Sequence, residues 1–299
     1  MGNQRITIAE LDCIFISYDE PNAEKNWADL VDKCMWAKRV HGVKGSDACH
    51  KAAAELSDTE WFISVDADNI VDTKFFNQEL EIPSGARAFS WPGVNAINGL
   101  RYGNGSLKVW NKEFVLAMRS HEAAEQDTAA VDFCWEDGYR PMYETYSTTY
   151  PNASPYQAWR AGFREGVKMS LVDGKLDPTA TIHWHNLHRL KIWSSVGAHV
   201  DNGLWAILGA RHGYYKVHSA DWNYVDVRDF DHLKILWSEV KNQNVLDAVE
   251  QYGKLNKQLY QFDTTLLDPV TSAFVVSTFK DQYQQAVEQV TWVLRRNNV

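Results

Sequence analysis

The sequence predicts an α/β fold in which a mostly parallel β-sheet is flanked by helices, with a further helical region at the C-terminus. Over the first 70 residues, short continuous apolar runs alternate with segments of helical periodicity. This order is typical of right-handed βαβ units, which build parallel sheets with helices on their faces. The run at 13–16 is continuously apolar, as expected of a strand that is buried on both faces. After about residue 225, helical periodicity alone remains.

The elements of these first βαβ units can be placed along the chain. The first helix is predicted by apolar residues that recur at i, i+3, i+4, i+7 and i+8, namely Trp27, Leu30, Val31, Cys34 and Met35. In chain order, the predicted elements are a strand at 6–17, a helix capped by Asn22, a strand at 40–43, a helix at 47–56 capped by Ser46, and a strand at 61–65.

The rest of the chain predicts further elements. The Gly-rich segment 98–110 predicts a strand, a loop and another strand, and the segment 139–143 predicts one more strand. Helical spacing of apolar residues predicts helices at 111–118, 155–168, 203–212, 233–241, 246–262 and 279–296. We therefore expect one α/β domain over residues 1–225 and a helical region over residues 226–299 that packs on it.

Composition narrows the functional class. The chain has 299 residues, of which 45% are hydrophobic, and it carries a formal net charge of -9. An acidic balance argues against a dedicated nucleic-acid binder, although a local basic stripe would be enough for one. The N-terminus has no apolar run of the signal-peptide type, and the longest apolar runs are far shorter than the ~20 residues of a membrane span. We expect a cytoplasmic protein without a membrane span, whose four cysteines are reduced.

Asp66 and Asp68 provide the strongest chemical signal. They follow the apolar run 61–65, so they lie at the carboxyl end of a predicted parallel strand, where ligands bind in such sheets. Two carboxylates at i and i+2 can converge on a hard cation such as Mg²⁺ or Mn²⁺. The segment 18–20 follows the first strand and is expected to face the same crevice. The alternative is a strand-end turn with solvated carboxylates.

Three segments, 15–20, 42–53 and 62–69, together resemble the nucleotide-binding half of a GT-A-fold glycosyltransferase. The resemblance is to family-2-like transferases of the type found in phages, and it extends more loosely to about residue 215. It implies a nucleoside-diphosphate-sugar donor, with a UDP-sugar expected first, a divalent metal, and the host cytoplasm as the location if the chain is phage-encoded. For the donor site it implies metal and diphosphate contacts by Asp66 and Asp68, nucleoside contacts by Ser17, Tyr18 and Glu20, and base or ribose contacts by Asp47, His50 and Lys51.

The Gly-rich segment 98–110 resembles the region that lines the sugar and acceptor sites in these enzymes. Its glycines would allow a ligand to approach the backbone closely, and Lys108 could reach a phosphate or a hydroxyl of the donor. The alternative is a hairpin whose glycines serve only the turn.

Basic and acidic side chains lie together on the helix predicted at 155–168. Arg160 and Arg164 are spaced i and i+4, so both guanidinium groups lie on one face, where they suit the donor diphosphate or a DNA phosphate. The alternative is an exposed ion-pair network. Glu165 could be a general base that deprotonates an acceptor hydroxyl. The Glu-Asp pair that the resembling family often places near this point stands at 136–137 in this chain, so the base stays open among Glu165, Asp137, Glu136 and Asp132.

His183 and His185 are the last candidates. In several GT-A enzymes a late histidine is a third metal ligand, and two imidazoles that are two residues apart on a strand point the same way. We therefore expect His183 and His185 to face the cleft as metal ligands. The alternative is that they pack between Trp184 and Trp193 and bind no ligand.

Three functions stay open. The chain has no G-x-G-x-x-G after a strand, no P-loop and no G-x-S-x-G motif. The sequence favours a metal-dependent GT-A transferase over a nucleotidyltransferase-like enzyme, which would carry a Gly-rich loop after its first strand, and over a catalytically silent binding module. The phage resemblance narrowly favours the hydroxyl of 5-hydroxymethylcytosine in DNA as the acceptor, whereas the acidic balance favours a glycan, lipid-linked or protein acceptor. The oligomeric state is not predicted.

Overall fold

The computed structural model describes residues 4–124, 137–177, 179–219, 221–280 and 285. Asp132, Cys134 and Glu136 lie outside these ranges, as does most of the helix predicted at 279–296.

The described residues alternate between strands and helices and confirm the predicted α/β class. The strands are β1 (Gln4–Thr7), β2 (Asp12–Ser17), β3 (Lys38–His41), β4 (Trp61–Asp66), β5 (Asn69–Val71), β6 (Glu79–Ile82), β7 (Ala88–Asn95), β8 (Arg101–Asn111), β9 (Tyr139–Pro141) and β10 (Ser147–Thr149). The helices are α1 (Ala23–Lys33), α2 (Ser46–Leu56), α3 (Lys112–Ala117), α4 (Pro155–Lys168), α5 (Trp184–Trp193), α6 (Gly203–His218), α7 (Phe230–Val240), α8 (Val245–Tyr260) and α9 (Pro269–Thr278).

The main sheet of the described chain has eight strands and is mixed rather than mostly parallel. Its order is β3-β2-β4-β8-β7-β10-β5, with β9 paired to β7. The pairs β2–β3 and β2–β4 are parallel, as the βαβ units predict, but β8 runs antiparallel to both β4 and β7. The expectation failed at this point because only residues 96–100 join β7 to β8, and a short connection makes neighbouring strands antiparallel.

The sheet curls, and the curl brings both of its halves to the acidic turn after β4. β5 begins at Asn69, three residues after β4 ends at Asp66, yet β8, β7 and β10 separate the two strands in the sheet order. Three residues span only about 10 Å. The sheet must therefore bend until β5 comes back beside β4, with Asp66 and Asp68 at the closure.

The two helices that connect β2, β3 and β4 form where predicted, but their caps differ from the expectation. Asn22 does not cap α1 through its side chain; its Nδ2 donates a hydrogen bond to the Tyr150 carbonyl at 3.1 Å instead. Ser46 is the first residue of α2 and not its cap. The Ala48 amide in the first turn of α2 donates to Glu122 Oε1 at 2.9 Å. A carboxylate distant in sequence thus satisfies this helix start.

The Gly-rich segment is a continuous strand and not the strand, loop and strand that its glycines predict. β8 extends over residues 101–111 and pairs with β4 on one side and β7 on the other, with a register shift opposite Trp91 and Gly93. Residues 107–110 pair on both sides and residues 101–102 pair with β7, so ladder hydrogen bonds hold the backbone extended on either side of the glycines. The turn of this hairpin falls earlier, at residues 96–100.

α4 forms over the predicted residues because its signals are local. Ser154 Oγ accepts a hydrogen bond from the Gln157 amide at 3.2 Å, and Pro155 occupies the first helical position. Its buried side packs on α6 through glycines, and a Cβ added at Gly162 would lie 1.9 Å from the Ala206 carbonyl oxygen. The two helix backbones are therefore in direct contact.

The C-terminal helices share a core with the earlier ones. Leu233 and Leu236 of α7 and Val249 of α8 belong to the same buried cluster as Trp159 and Phe163 of α4. The boundary predicted at residue 225 therefore does not interrupt this core, and the division into two regions stays a prediction. None of the helices in the described residues is both long and apolar enough to cross a bilayer.

Candidate functional site

A cleft of about 340 Å³ opens where β2 and β4 end. This volume lies at the lower end of the range for small-molecule sites. The loop after β2, the β4–β5 turn, α2, β8, α4 and α7 all contribute side chains to it. The charged side chains and histidines that line it are Asp19, Glu20, Lys44, His50, Asp66, Asp68, Lys108, His121, Arg160, Arg164, Glu165, Lys168, Asp231 and Lys234.

The cleft is more positive than the chain as a whole. Six of these lining side chains are carboxylates and six are lysines or arginines, whereas the full sequence has 39 acidic and 30 basic residues. Carboxylates suit a metal cation, and guanidinium and ammonium groups suit phosphate. The lining is therefore suited to a ligand that combines a metal cation with phosphate groups.

Asp66 and Asp68 occupy a turn that is held from two sides. Asp66 is the last residue of β4, and Asp68 precedes the first residue of β5. Asn26 Nδ2 donates a hydrogen bond to the Ala67 carbonyl at 2.8 Å, and the Tyr150 amide donates to the Asp68 carbonyl at 2.7 Å. Both carboxylates line the cleft and are partly exposed. The backbone of the turn is thus fixed while its carboxylates face the cleft.

Glu20 lies in the same cleft as Asp66, as the parallel pairing of β2 and β4 predicts. The Tyr18 amide donates a hydrogen bond to Glu20 Oε2 at 2.7 Å, which closes the loop after β2 on itself. Burial, with smaller contributions that include the charges of Asp66 and Glu20, raises the pKa of the Cys49 thiol to about 12. Both carboxylates act on one thiol of α2, so the two acidic clusters surround a common space.

His50 lies between two opposite charges of the cleft. Its Nδ1 donates a hydrogen bond to the Ser46 carbonyl at 2.7 Å, and its ring meets the Trp110 ring edge-on at 5.7 Å. Burial lowers the pKa of His50; the Asp66 charge opposes that shift and the Lys108 charge adds to it. Since burial dominates, the imidazole is held neutral between a carboxylate and an ammonium group.

Three of the expected donor contacts are engaged elsewhere. Arg39 Nε donates to Ser17 Oγ at 3.0 Å, so this hydroxyl faces β3 although Ser17 borders the cleft. Asp47 Oδ2 lies 2.6 Å from Lys51 Nζ, and its Oδ1 accepts a hydrogen bond from the Ser120 amide at 2.8 Å. Neither Asp47 nor Lys51 lines the cleft. They tie the start of α2 to a segment 73 residues away, a contact that no local pattern indicates.

Arg160 and Arg164 lie on one face of α4, as their spacing predicts, and both line the cleft. Their guanidinium carbons lie 5.2 and 4.9 Å from the centroid of the Phe230 ring. Arg160 Nη1 is 3.9 Å from Asp19 Oδ1, and Arg164 Nη1 donates to the Val227 carbonyl at 3.1 Å. The pair is therefore an ordered part of the cleft wall.

Glu165 is a buried carboxylate of the cleft wall and is 6% exposed. Its Oε2 accepts a hydrogen bond from the Tyr102 hydroxyl, and its Oε1 is 2.5 Å from Lys168 Nζ. Trp193 Nε1 donates to the Tyr102 hydroxyl oxygen at 2.8 Å. Burial, followed by the Glu165 charge, raises the pKa of Tyr102 well above its ordinary value. The hydroxyl therefore stays protonated, and the chain of donors ends on Glu165.

The other base candidates do not join this group. Asp137 is exposed in the turn before β9 and does not line the cleft. Glu136 and Asp132 lie outside the described residues. Of the two described candidates, Glu165 is the one in the cleft.

His183 and His185 do not lie on a strand. His183 directly precedes α5, and His185 is in its first turn. Their rings stack at 5.5 Å, and His183 Nε2 is 3.7 Å from Asp173 Oδ1, but neither ring lines the cleft. The segment is helical because Leu190 and Trp193 bury one helical face. The role of these histidines as metal ligands stays a prediction. The strand on which it was based is not formed, because this segment is helical.

α7 contributes side chains that the sequence did not indicate. Phe230, Asp231 and Lys234 line the cleft. Asp231 Oδ2 lies 2.5 Å from Lys44 Nζ, in the loop between β3 and α2. These two residues are 187 positions apart, so no local signal reveals the pair. The region after residue 225 thus completes one side of the cleft.

Lys168 and Trp193 also line the cleft, and Lys168 could have been found from spacing. Lys168 lies four residues after Arg164, so it continues the basic face of α4 by one more turn. Trp193, which the sequence indicated only as a packing neighbour of the histidines, lies in the cleft wall beside the Tyr102 hydroxyl.

Comparisons with protein-family models, with curated proteins and with solved structures gave no match. In the described ranges, no group of three or more His, Cys, Asp or Glu side chains is gathered to hold a metal ion.

Proposed function

We propose that this chain is a glycosyltransferase that moves a sugar from a nucleoside-diphosphate sugar to an acceptor hydroxyl and depends on Mn²⁺ or Mg²⁺. The observation that carries the proposal is the position of Asp66 and Asp68 at the carboxyl end of β4, in one cleft with Tyr18 and Glu20. This edge of an α/β sheet is where nucleotide ligands bind. The same edge, together with the resemblance of the first 70 residues, supports assignment to the GT-A fold.

Asp66 and Asp68 fit a divalent metal of this kind. Mg²⁺ commonly binds through one or two carboxylates and takes its other oxygen ligands from substrate phosphates and water, and Mn²⁺ also favours oxygen ligands. Two carboxylates at a fixed turn are therefore a sufficient protein contribution. When bound, the metal would offset the charge of the departing diphosphate.

Other lining residues suit the remaining parts of the donor. The Tyr18 ring is 42% exposed at the cleft and offers a flat face on which a nucleobase can stack. Lys108, buried in β8 next to β4, lines the cleft and offers a positive charge to a phosphate or a sugar hydroxyl. Both residues come from elements that border Asp66, so one donor molecule can reach all three.

Glu165 is the general base in this proposal. It accepts the proton of the acceptor hydroxyl while the acceptor oxygen forms a bond to the anomeric carbon. At the same time the bond from that carbon to the diphosphate oxygen breaks, and the nucleoside diphosphate leaves. Tyr102 and Lys168 hold the carboxylate in place from its two oxygens.

Replacing Glu165 with Gln tests this role. We expect sugar transfer to fall by a factor of about 10² to 10⁴, with nucleotide affinity unchanged, because a positioned base contributes that much to the rate. NMR of the product would show inversion at the anomeric carbon. Retention of configuration would contradict direct displacement with Glu165 as base.

We propose 5-hydroxymethylcytosine in DNA as the acceptor to test first. The six basic side chains of the cleft suit a phosphate-bearing polymer, and the rings of Trp193 and Phe230 also line the cleft, which a base flipped out of the stack would enter. Transfer of labelled sugar to hydroxymethylated DNA but not to unmodified DNA would support this acceptor. Label on neither DNA, with transfer to a glycan, lipid-linked or protein acceptor, would reject it.

Calorimetric titration with UDP tests the donor site. We expect the wild type to bind UDP in the presence of Mn²⁺ and to lose most of that affinity with EDTA. Asp68→Ala should remove the metal dependence and abolish transfer while the fold is kept. Asp29→Ala is a matched control, because Asp29 is a carboxylate of α1 that pairs with Lys33 away from the cleft. Metal-independent UDP binding by the wild type, or full transfer by Asp68→Ala, would reject the metal assignment.

A further inference from the structure

We infer that the cleft contains a second anion site, built by Arg160, Arg164 and Lys234, which binds a phosphate group of the acceptor without a metal. This inference rests on the proposed function, because that function gives the donor diphosphate to Asp66 and Asp68. It replaces the expectation that the two arginines contact the donor.

The position of Glu165 indicates which substrate meets these cations. Glu165 directly follows Arg164 on α4, and both line the same wall of the cleft. A base must touch the acceptor hydroxyl, so the acceptor has to approach α4. Asp66 belongs to the sheet edge, and the side chains of α4 belong to the helical layer. A phosphate near the acceptor hydroxyl would therefore meet the arginines.

α4 is packed so that this basic face cannot turn away. Its opposite side contacts the α6 backbone, and a Cβ added at Gly162 would lie only 1.9 Å from the Ala206 carbonyl oxygen. Any rotation of α4 would bring larger side chains into that contact, which tightly packed interiors resist. Arg160 and Arg164 are thus presented to the cleft by the core itself.

α7 brings the third cation and the surface that orders the other two. Two like charges at i and i+4 on one helix repel each other slightly. Arg160 and Arg164 both lie within 5.2 Å of the centroid of the Phe230 ring, whose face attracts cations. Lys234 follows Phe230 by one helical turn and lines the same cleft. Lys234 Nζ also lies 3.4 Å from Asp231 Oδ1 in an exposed ion pair, which contributes little free energy. Three cations from two helices therefore line one cleft.

The chemistry of these groups selects phosphate. The planar fork of a guanidinium group donates two parallel hydrogen bonds to phosphate oxygens. The Arg160 contact to Asp19 is 3.9 Å long, and the Asp19 carboxylate is 46% exposed. Ion pairs of this exposed kind contribute little free energy, so a phosphate can take the place of the carboxylate.

Calorimetric titration without metal, in EDTA, tests the second site. Inorganic phosphate and a short oligothymidylate serve as probes for a phosphomonoester and a phosphodiester source. We expect the wild type to bind at least one probe. The double variant R160Q/R164Q should bind it at least about tenfold more weakly, because it loses charge-assisted hydrogen bonds. K254Q/K257Q removes two exposed lysine charges from α8, away from the cleft, and should bind like the wild type.

Each variant should lose binding at one site and keep binding at the other. D68N should keep phosphate binding and lose Mn²⁺-dependent UDP binding, whereas R160Q/R164Q should show the reverse. If R160Q/R164Q unfolds at a lower urea concentration than the wild type, R160K/R164K keeps the charge and should bind phosphate with intermediate affinity. Absence of phosphate binding by the wild type, or equal binding by R160Q/R164Q, would overturn the inference. Absence of UDP binding alone would overturn the proposed donor site and leave this one standing.

Discussion

Replacing Tyr102 with Phe tests the hydrogen-bond chain behind Glu165. Tyr102 is 3% exposed, so the change removes one buried hydroxyl and leaves the ring in place. Two hydrogen bonds are lost, one donated to the Glu165 carboxylate and one accepted from Trp193 Nε1. A bond to a charged group contributes about 1.5–3 kcal/mol and a neutral one about 0.5–1.5 kcal/mol. We therefore expect the free energy of unfolding to fall by about 2–4.5 kcal/mol.

Urea denaturation followed by circular dichroism measures this change, with the midpoint shifting at constant slope. Tyr214→Phe is the matched control. Tyr214 is also buried, at 6% exposure, and its ring stacks on Phe262 at 4.3 Å, away from the chain of donors to Glu165. Its loss of a hydroxyl should cost less. A Tyr102→Phe midpoint equal to that of the wild type would refute the reasoning, because a buried hydroxyl bonded on both sides cannot be removed without cost.

Three further predictions concern stability. Burial lowers the pKa of His212 below its ordinary value of 6.5, against the opposing charge of Glu239. The folded state therefore favours the neutral ring. The stability that this neutral ring contributes is complete above about pH 6.5 and is lost as the pH falls toward the folded-state pKa. His212→Phe should flatten the stability–pH curve below pH 6.5, and an unchanged curve would contradict this. Arg211→Met should lower the free energy of unfolding by about 3 kcal/mol or more, because the buried Arg211 guanidinium donates to three backbone carbonyls that would lose their partner; a smaller loss in urea denaturation would mean that other donors replace it. Gly162→Ala should destabilise by about 1–3 kcal/mol despite the better helix propensity of alanine, because its Cβ would collide with the Ala206 carbonyl; a wild-type thermal midpoint would show that the helices separate easily.

Helices with strong local signals were predictable from the sequence. α4 spans residues 155–168, as predicted, because a capping serine, a proline at the first position and regular apolar spacing all act within one or two turns. α9 was not predicted, since its valines and threonines are poor helix formers. It is nevertheless helical, with Asp268 accepting hydrogen bonds from the Val270 and Thr271 amides and Ser272 buried against the fold.

In the candidate site, too, some features follow from local sequence patterns and others do not. The acidic ends of β2 and β4 and the basic face of α4 follow from the order of strands and the period of a helix, both of which are local. The partners of charged residues do not follow, because Asp47 binds an amide 73 residues away and Lys44 an acid 187 residues away. For this reason the expectation that Asp47 and Lys51 lie in the cleft was wrong, and both residues lie outside it.

By itself, the sequence determined that the fold is α/β and that Asp66, Asp68 and Glu20 lie at one edge of parallel strands. It could do so because strand and helix patterns can be recognised within a few consecutive residues. Only the tertiary structure decided that the sheet is mixed and curls to bring β5 beside β4, and that α7 completes the cleft. It also decided that Glu165 receives hydrogen bonds from Tyr102 and Lys168. These features depend on which surfaces meet when the whole core is packed, and packing joins residues that are far apart in the chain.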